Sequence, residues 1–141
     1  MILANPTNAT ISDDTGVVTI VENDNNPTLS VNDINIAEGS TGNFIVTMSN
    51  PSVSAVTVEY VLVDGTAASG IDYTYTGGTL TILAGETTGA IQVSTIQDLI
   101  YETNENFSVI LSNPVNATVS DGTGNAAIIE NDTQPAIYII G

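Results

Sequence analysis

The sequence predicts an all-β fold, an antiparallel sandwich of about seven strands, and three observations carry that expectation. Thr, Val and Ile are abundant, while the Ala-, Leu-, Glu- and Lys-rich runs that build helices are missing, a balance that favours strands. Short turn signals such as Asn50-Pro51-Ser52 and Ala84-Gly85-Glu86-Thr87 punctuate short apolar runs. The apolar fraction of 42% in 141 residues is enough for a core, and it excludes a disordered acidic tail. The length suits one domain with flanking pieces.

The first strand is expected over residues 28–36. The second, over 42–49, alternates so that Phe44, Val46 and Met48 face inward. After Asn50-Pro51-Ser52 the third strand covers 56–63. A loop over 64–73, carrying Gly65 and Gly70, precedes the fourth strand at 79–83. The turn at Gly85 leads to the fifth, 90–96. A second loop, 97–105, precedes the sixth at 107–112, and after a longer connection the seventh falls at 125–129.

The two ends of the chain repeat each other. The run from Asn5-Pro6 to Thr15-Gly16 aligns with that from Asn113-Pro114 to Thr123-Gly124, and Ile20-Val21-Glu22-Asn23-Asp24 aligns with Ile128-Ile129-Glu130-Asn131-Asp132, always 108 residues apart. Pro27-Thr28-Leu29-Ser30-Val31 matches Pro135-Ala136-Ile137-Tyr138-Ile139 at the same offset. A period of about 100 residues suits a whole sandwich domain rather than a short solenoid repeat. Residues 1–24 are therefore expected to end one repeat, 25–132 to form a complete one, and 133–141 to begin a third.

Composition restricts the chemistry. The chain has 16 Asp and Glu and no Lys, Arg, His or Cys. Thiol nucleophiles, disulfides and zinc–thiolate sites are excluded, as are His and Lys bases and a Ser-His-Asp triad. Paired carboxylates could in principle cleave glycosides, but there is no Trp to make a sugar platform, and no enzyme activity is expected. Nucleic acid and anionic membranes are poor partners without cationic side chains. No apolar run approaches the roughly 18 residues of a membrane span, so membrane insertion is not expected, and no basic leader marks a signal peptide.

Acid placement is informative. If successive strands run antiparallel, their connections alternate between two poles. One pole collects Glu38, Asp64, Asp72, Asp98, Glu102, Glu105, Glu130 and Asp132, and the other only Glu86 and Asp121. Acids placed only for solubility would be spread more evenly. Like charges about 4 Å apart repel by ~4 kcal/mol at an effective dielectric near 20, and no basic side chain offsets this. Either some carboxyls protonate or a cation sits among them. Oxygen ligands from several loops suit calcium, whereas magnesium demands stricter geometry and zinc prefers N and S ligands.

Motifs along the chain sharpen this expectation. Ala37-Glu38-Gly39-Ser40, Asp64-Gly65-Thr66-Ala67, Gly70-Ile71-Asp72-Tyr73 and Gly78-Thr79-Leu80-Thr81-Ile82 stand in order. They are followed by the run Glu102-Thr103-Asn104-Glu105-Asn106-Phe107 to Asn113-Pro114 and by the closing Ile129-Glu130-Asn131-Asp132. Jointly they resemble the Calx-beta repeat across residues 28–132. The resemblance implies an immunoglobulin-like sandwich with calcium at one pole, as in the regulatory domains of sodium–calcium exchangers. It also implies a ligand set of Glu38, Asp64, Asp98, Glu102, Glu105, Glu130 and Asp132, joined by the backbone carbonyl of Ile100. Asp72 is expected to be structural, bonding loop amides, and Tyr73 and Tyr101 to pack at loop bases. Two departures from the family pattern, Gln97-Asp98-Leu99 and the neutral Asn131, imply one or two ions rather than four.

The expected role is a structural or adhesive calcium-binding repeat of a tandem extracellular or cell-surface array. Its partners would be neighbouring repeats of the same chain or identical subunits. A self-assembling fibre subunit joined by strand complementation and a calcium-sensing regulatory domain are the alternatives.

Overall fold

The computed structural model describes residues 1–141. Nine strands form: β1 (Thr28–Val31), β2 (Ile34–Ala37), β3 (Thr41–Met48), β4 (Val56–Asp64), β5 (Gly78–Ile82), β6 (Thr88–Ser94), β7 (Glu105–Val115), β8 (Thr118–Asp121) and β9 (Thr123–Ile129). They make two sheets, a four-stranded one ordered β6-β3-β1-β8 and a five-stranded one ordered β2-β9-β7-β4-β5. Pairing is antiparallel except where β1 meets β8 and β2 meets β9. The strand directions are those that separate the connections into two poles.

Period-two alternation sets the core. Along β3, Phe44, Val46 and Met48 are buried between exposed neighbours. They pack with Leu29, Ile91 and Val93 of their own sheet against Val58, Phe107, Val109, Ala126 and Ile128 of the other. Each large side chain so buried contributes about 1.5–3 kcal/mol. Phe44 meets Phe107 edge-on at 6.2 Å, and Tyr73 stacks on Phe107 at 4.1 Å.

Nine strands stand where about seven were expected, for two local reasons. The run 28–36 is not continuous but crosses between sheets at Asn32-Asp33. Asn32 Oδ1 accepts the Ile45 amide at 2.7 Å, and Asp33 Oδ1 accepts the Asn125 amide at 2.7 Å. The crossing brings the Asn32 carbonyl so near β9 that a Cβ on Gly124 would lie 2.5 Å from it. The extra strand β8 arises in the connection after β7, where Thr118-Val119 pair in parallel with Thr28-Leu29.

The ends repeat in geometry as well as sequence. Asn5 and Asn113 have φ of 54° and 47°, and Asn8 and Asn116 of 58° and 62°, a left-handed conformation that Asn tolerates. The Leu3 amide donates to Asp14 O at 2.8 Å as the Leu111 amide does to Gly122 O at 2.8 Å. The Asp24 amide donates to Glu22 Oε1 as the Asp132 amide does to Glu130 Oε1. Residues 133–141 make no strand, and Ile137, Tyr138, Ile139 and Ile140 are exposed.

Candidate metal centre

Seven carboxylates converge on one end of the sandwich: Glu38, Asp72, Asp98, Glu102, Glu105, Glu130 and Asp132. Glu38, Glu105, Glu130 and Asp132 stand at strand ends, and Asp72, Asp98 and Glu102 come from the loops between strands. Glu38 follows β2 and is tied to β9 by its amide bond to Ile129 O at 3.0 Å. Behind it the chain turns at Gly39, φ 72°, where a Cβ would fall 2.7 Å from Gln97 Oε1. The buried Thr95 hydroxyl holds this turn from Ala37 O, at 2.9 Å. Glu105 opens β7, and Glu130 and Asp132 follow β9.

Backbone amides orient the carboxylates. The Asp98 amide donates to Glu38 Oε1 at 3.0 Å, the Ile100 amide to Asp98 Oδ1 at 2.7 Å, and the Glu102 amide to Glu130 Oε2 at 2.7 Å. Two groups result, Glu38–Glu130–Asp132 and Asp72–Glu102–Glu105, each with carboxylate oxygens within 4.8 Å of one another. Both groups border a small cleft that opens to solvent.

The crowding shows in the proton affinities. Glu105 is pushed up to about 7, first by burial and then by the charges of Asp72 and Glu102. Burial, followed by neighbouring carboxylates, also raises Glu102 and Asp132 above the ordinary range. Glu38 is raised too, by burial and by Asp132, Glu130 and Asp98, against the opposing amide of Asp98. Glu130 moves the other way, lowered by the amides of Asp132 and Glu102. It is the carboxylate prepared to stay ionised.

This donor set fits a hard divalent cation. Asp132 Oδ2 is buried with no hydrogen-bond partner, an arrangement that is costly unless an ion or proton satisfies it. No basic side chain exists to do so. The side-chain donors are all oxygens from separate loops, which suits calcium rather than zinc.

Of the residues expected at the site, Glu38, Asp98, Glu102, Glu105, Glu130 and Asp132 are brought together, and the Ile100 backbone is bonded to Asp98. Asp64 is not with them. Its Oδ1 accepts the Tyr73 hydroxyl and the Ser69 amide, bonds that hold its carboxyl below the ordinary range. Asp72 has two engagements. It bonds the Ala68 amide at 2.7 Å, as a structural loop Asp does, and it stands in the group with Glu102 and Glu105. Its position on the acid-rich pole was the signal for the second. Tyr73 is fully buried, whereas Tyr101 is exposed. The two neutral departures meet each other: Gln97 Nε2 donates to Asn131 Oδ1 at 3.1 Å and to Glu38 Oε2 at 3.3 Å, and Asn131 Nδ2 donates to Glu38 O at 3.0 Å. An amide pair thus offers donors to Glu38, a partial substitute for positive charge.

Comparison with known proteins agrees with the fold. The family model described as the Calx-beta domain matches residues 13–134. Sodium/calcium exchanger 1 of Rattus norvegicus is 36% identical over 97 residues, and that of Cavia porcellus 40% over 97; each match covers 69% of this chain. The chain spans about a tenth, 10%, of the length of these relatives. Among solved structures, the apo form of the Calx CBD1 domain superposes with a TM-score of 0.72 at 21% identity, covering 77% of this chain and all (100%) of that one. The calcium binding domain CBD12 of CALX1.1 gives 0.68 at 23%, covering 74% and 46%. At these identities the structures establish a shared fold.

Proposed function

Because the chain belongs to the Calx-beta family, we propose that it binds calcium at the acidic end of its sandwich and works as a structural module of a tandem array outside the cell or on its surface. The role is binding, not catalysis. The observation that carries the calcium assignment is Asp132 Oδ2, buried and without a partner among six further carboxylates in a chain with no basic residue. The ligands are Glu38, Glu130 and Asp132 for one ion, and Asp72, Glu102 and Glu105 for a second, with Asp98 between them. The array reading is supported by the 108-residue repeat in sequence and geometry, with residues 1–24 and 133–141 belonging to adjacent modules. Extracellular modules work at millimolar calcium with dissociation constants of roughly 10⁻⁴–10⁻³ M.

Calorimetric titration tests the site. Asp132→Asn and Glu105→Gln are expected to weaken calcium binding about tenfold or more, and Glu86→Gln at the far pole to leave it unchanged. Equal losses at both poles, or no heat in the unmodified protein, would refute the assignment. The second reading, a calcium-sensing regulatory domain, is favoured by the similarity to the exchangers. Micromolar rather than near-millimolar affinity in the same titration would select it.

A further inference from the structure

The pole opposite the acids carries a different feature. The turn between β3 and β4, residues 49–55, contains no charge, and it is braced from two sides. The Gly85 amide donates to Ser52 O at 2.9 Å, and Asn116 Nδ2 donates to Ala55 O at 2.9 Å. At its tip Val53 is 91% exposed, an apolar side chain on a fixed support.

The incoming chain is tied to this turn. Asn50 Nδ2 donates to Asn25 O at 3.2 Å. Its own Oδ1 accepts the Ser49 hydroxyl at 2.8 Å, and that hydroxyl accepts the Thr28 amide at 2.9 Å. Pro27 is buried, and its carbonyl accepts the Thr118 amide at 3.0 Å. The chain is therefore held from Asn25 onward, one residue after the Glu22-Asn23-Asp24 triplet. A groove runs between Glu22 and Asp24 on one side and Pro51 and Val53 on the other. The triplet repeats the local geometry of Glu130-Asn131-Asp132, which closes the metal centre 108 residues later.

We propose that the β3–β4 turn is the seat on which a preceding copy of this module docks, with Asn50 clamping the link between them. The occupant is fixed by charge as well as by connectivity. Stacking the acidic pole of one copy on the uncharged turn of the next keeps the acid clusters of successive copies apart, whereas acidic poles set face to face would repel. The three-residue link Asn25-Asn26-Pro27 leaves little slack, and Pro27 fixes its own φ. With Asn50 bonded to the first of these residues, the cation site of the preceding copy is held close to Val53. Asn50 is a positioning residue, and it touches no ion.

This inference rests on the tandem reading above, and its test separates the two. Residues 25–132 are duplicated within the full chain, so that Asp132 of the first copy runs into Asn25 of the second. In calcium, the amide order parameters of the inner Asn25 and Asn26 are expected near the rigid-backbone value of about 0.85, and Asn50→Ala in the second copy is expected to drop them below about 0.6. Amide dispersion from β3 and β7 reports whether the variant is folded. Asn50→Asp, which keeps the bond from Ser49 but lacks the amide donor, gives the same readout should the alanine variant unfold. An inner link that stays ordered in both variants overturns the seat. Loosening by chelator but not by either variant leaves calcium as the sole constraint and likewise overturns it. Loosening by the variants but not by chelator upholds the seat and removes calcium from the junction.

Discussion

Glu105 makes the stripped and loaded proteins respond to pH in opposite senses. Its carboxyl stands at about 7, raised by burial and by Asp72 and Glu102, against an ordinary value near 4.3 in the unfolded chain. Ionised Glu105 therefore opposes folding. Between pH 7 and roughly 4.5 the folded state takes up a proton that the unfolded state does not, so the calcium-free protein gains stability as pH falls through that window. Glu38, Glu102 and Asp132 are raised as well and add to the same trend. Asp64 and Glu130 are lowered, and their contributions are lost only when the pH drops through their depressed values. Calcium requires the ionised forms. At pH 7.5 and 100 times the dissociation constant, one independent site stabilises by about 2.7 kcal/mol, or about 10 °C at ~4 °C per kcal/mol for a domain of this size. At pH 5 the difference between calcium and chelator is expected to shrink to a third or less. Thermal unfolding monitored by circular dichroism at fixed ionic strength measures both trends. A chelated midpoint that falls between pH 7 and pH 5, or a Glu105→Gln variant that keeps the full slope, would refute the reasoning.

Three further substitutions probe the site and the fold that carries it. Gln97→Glu sets a charge against Glu38 in place of the amide donor, so it is expected to lower the chelated midpoint and, by calorimetry, to raise calcium affinity or stoichiometry. Tyr73→Phe keeps the stack on Phe107 but removes the hydroxyl that Asp64 accepts. Denaturant unfolding is expected to show a loss of about 1–3 kcal/mol, with calcium affinity changed less than twofold because Asp64 stands outside the carboxylate groups. Gly124→Ala drives a Cβ into Asn32 O, and a loss of more than about 3 kcal/mol, or failure to fold, is expected.

Much of this was legible in the chain itself, for identifiable reasons. Burial of Phe44, Val46 and Met48 follows from period-two alternation alone. The acidic pole follows from strand parity, since antiparallel connections alternate ends whatever the details of packing. What stayed hidden depends on tertiary contacts. Nothing in the run 28–36 marks the change of sheet at Asn32-Asp33, because the break is enforced by bonds to Ile45 and Asn125 far along the sequence. Strand β8 is four residues long and is paired only because β1 lies beside it. Asp64 and Asp72 bracket one loop, and the family resemblance gave Asp64 the ligand role and Asp72 the structural one. It is the stacking of Tyr73 on Phe107 that draws Asp64 to the Tyr73 hydroxyl, while Asp72 joins Glu102 and Glu105. Gln97 and Asn131 stood out as separate departures from the family pattern, and only the fold shows that they are bonded to each other.

A residue-resolved calcium titration is the most direct measurement of the metal centre. In ¹⁵N-labelled protein, saturable amide shifts are expected at Gly39, across Asp98–Glu105 and at Glu130–Asp132, with the far-pole turns at Ser52–Ser54 and Gly85 unmoved. Shifts absent throughout at millimolar calcium, or concentrated at the far pole, would contradict a cation site among these carboxylates.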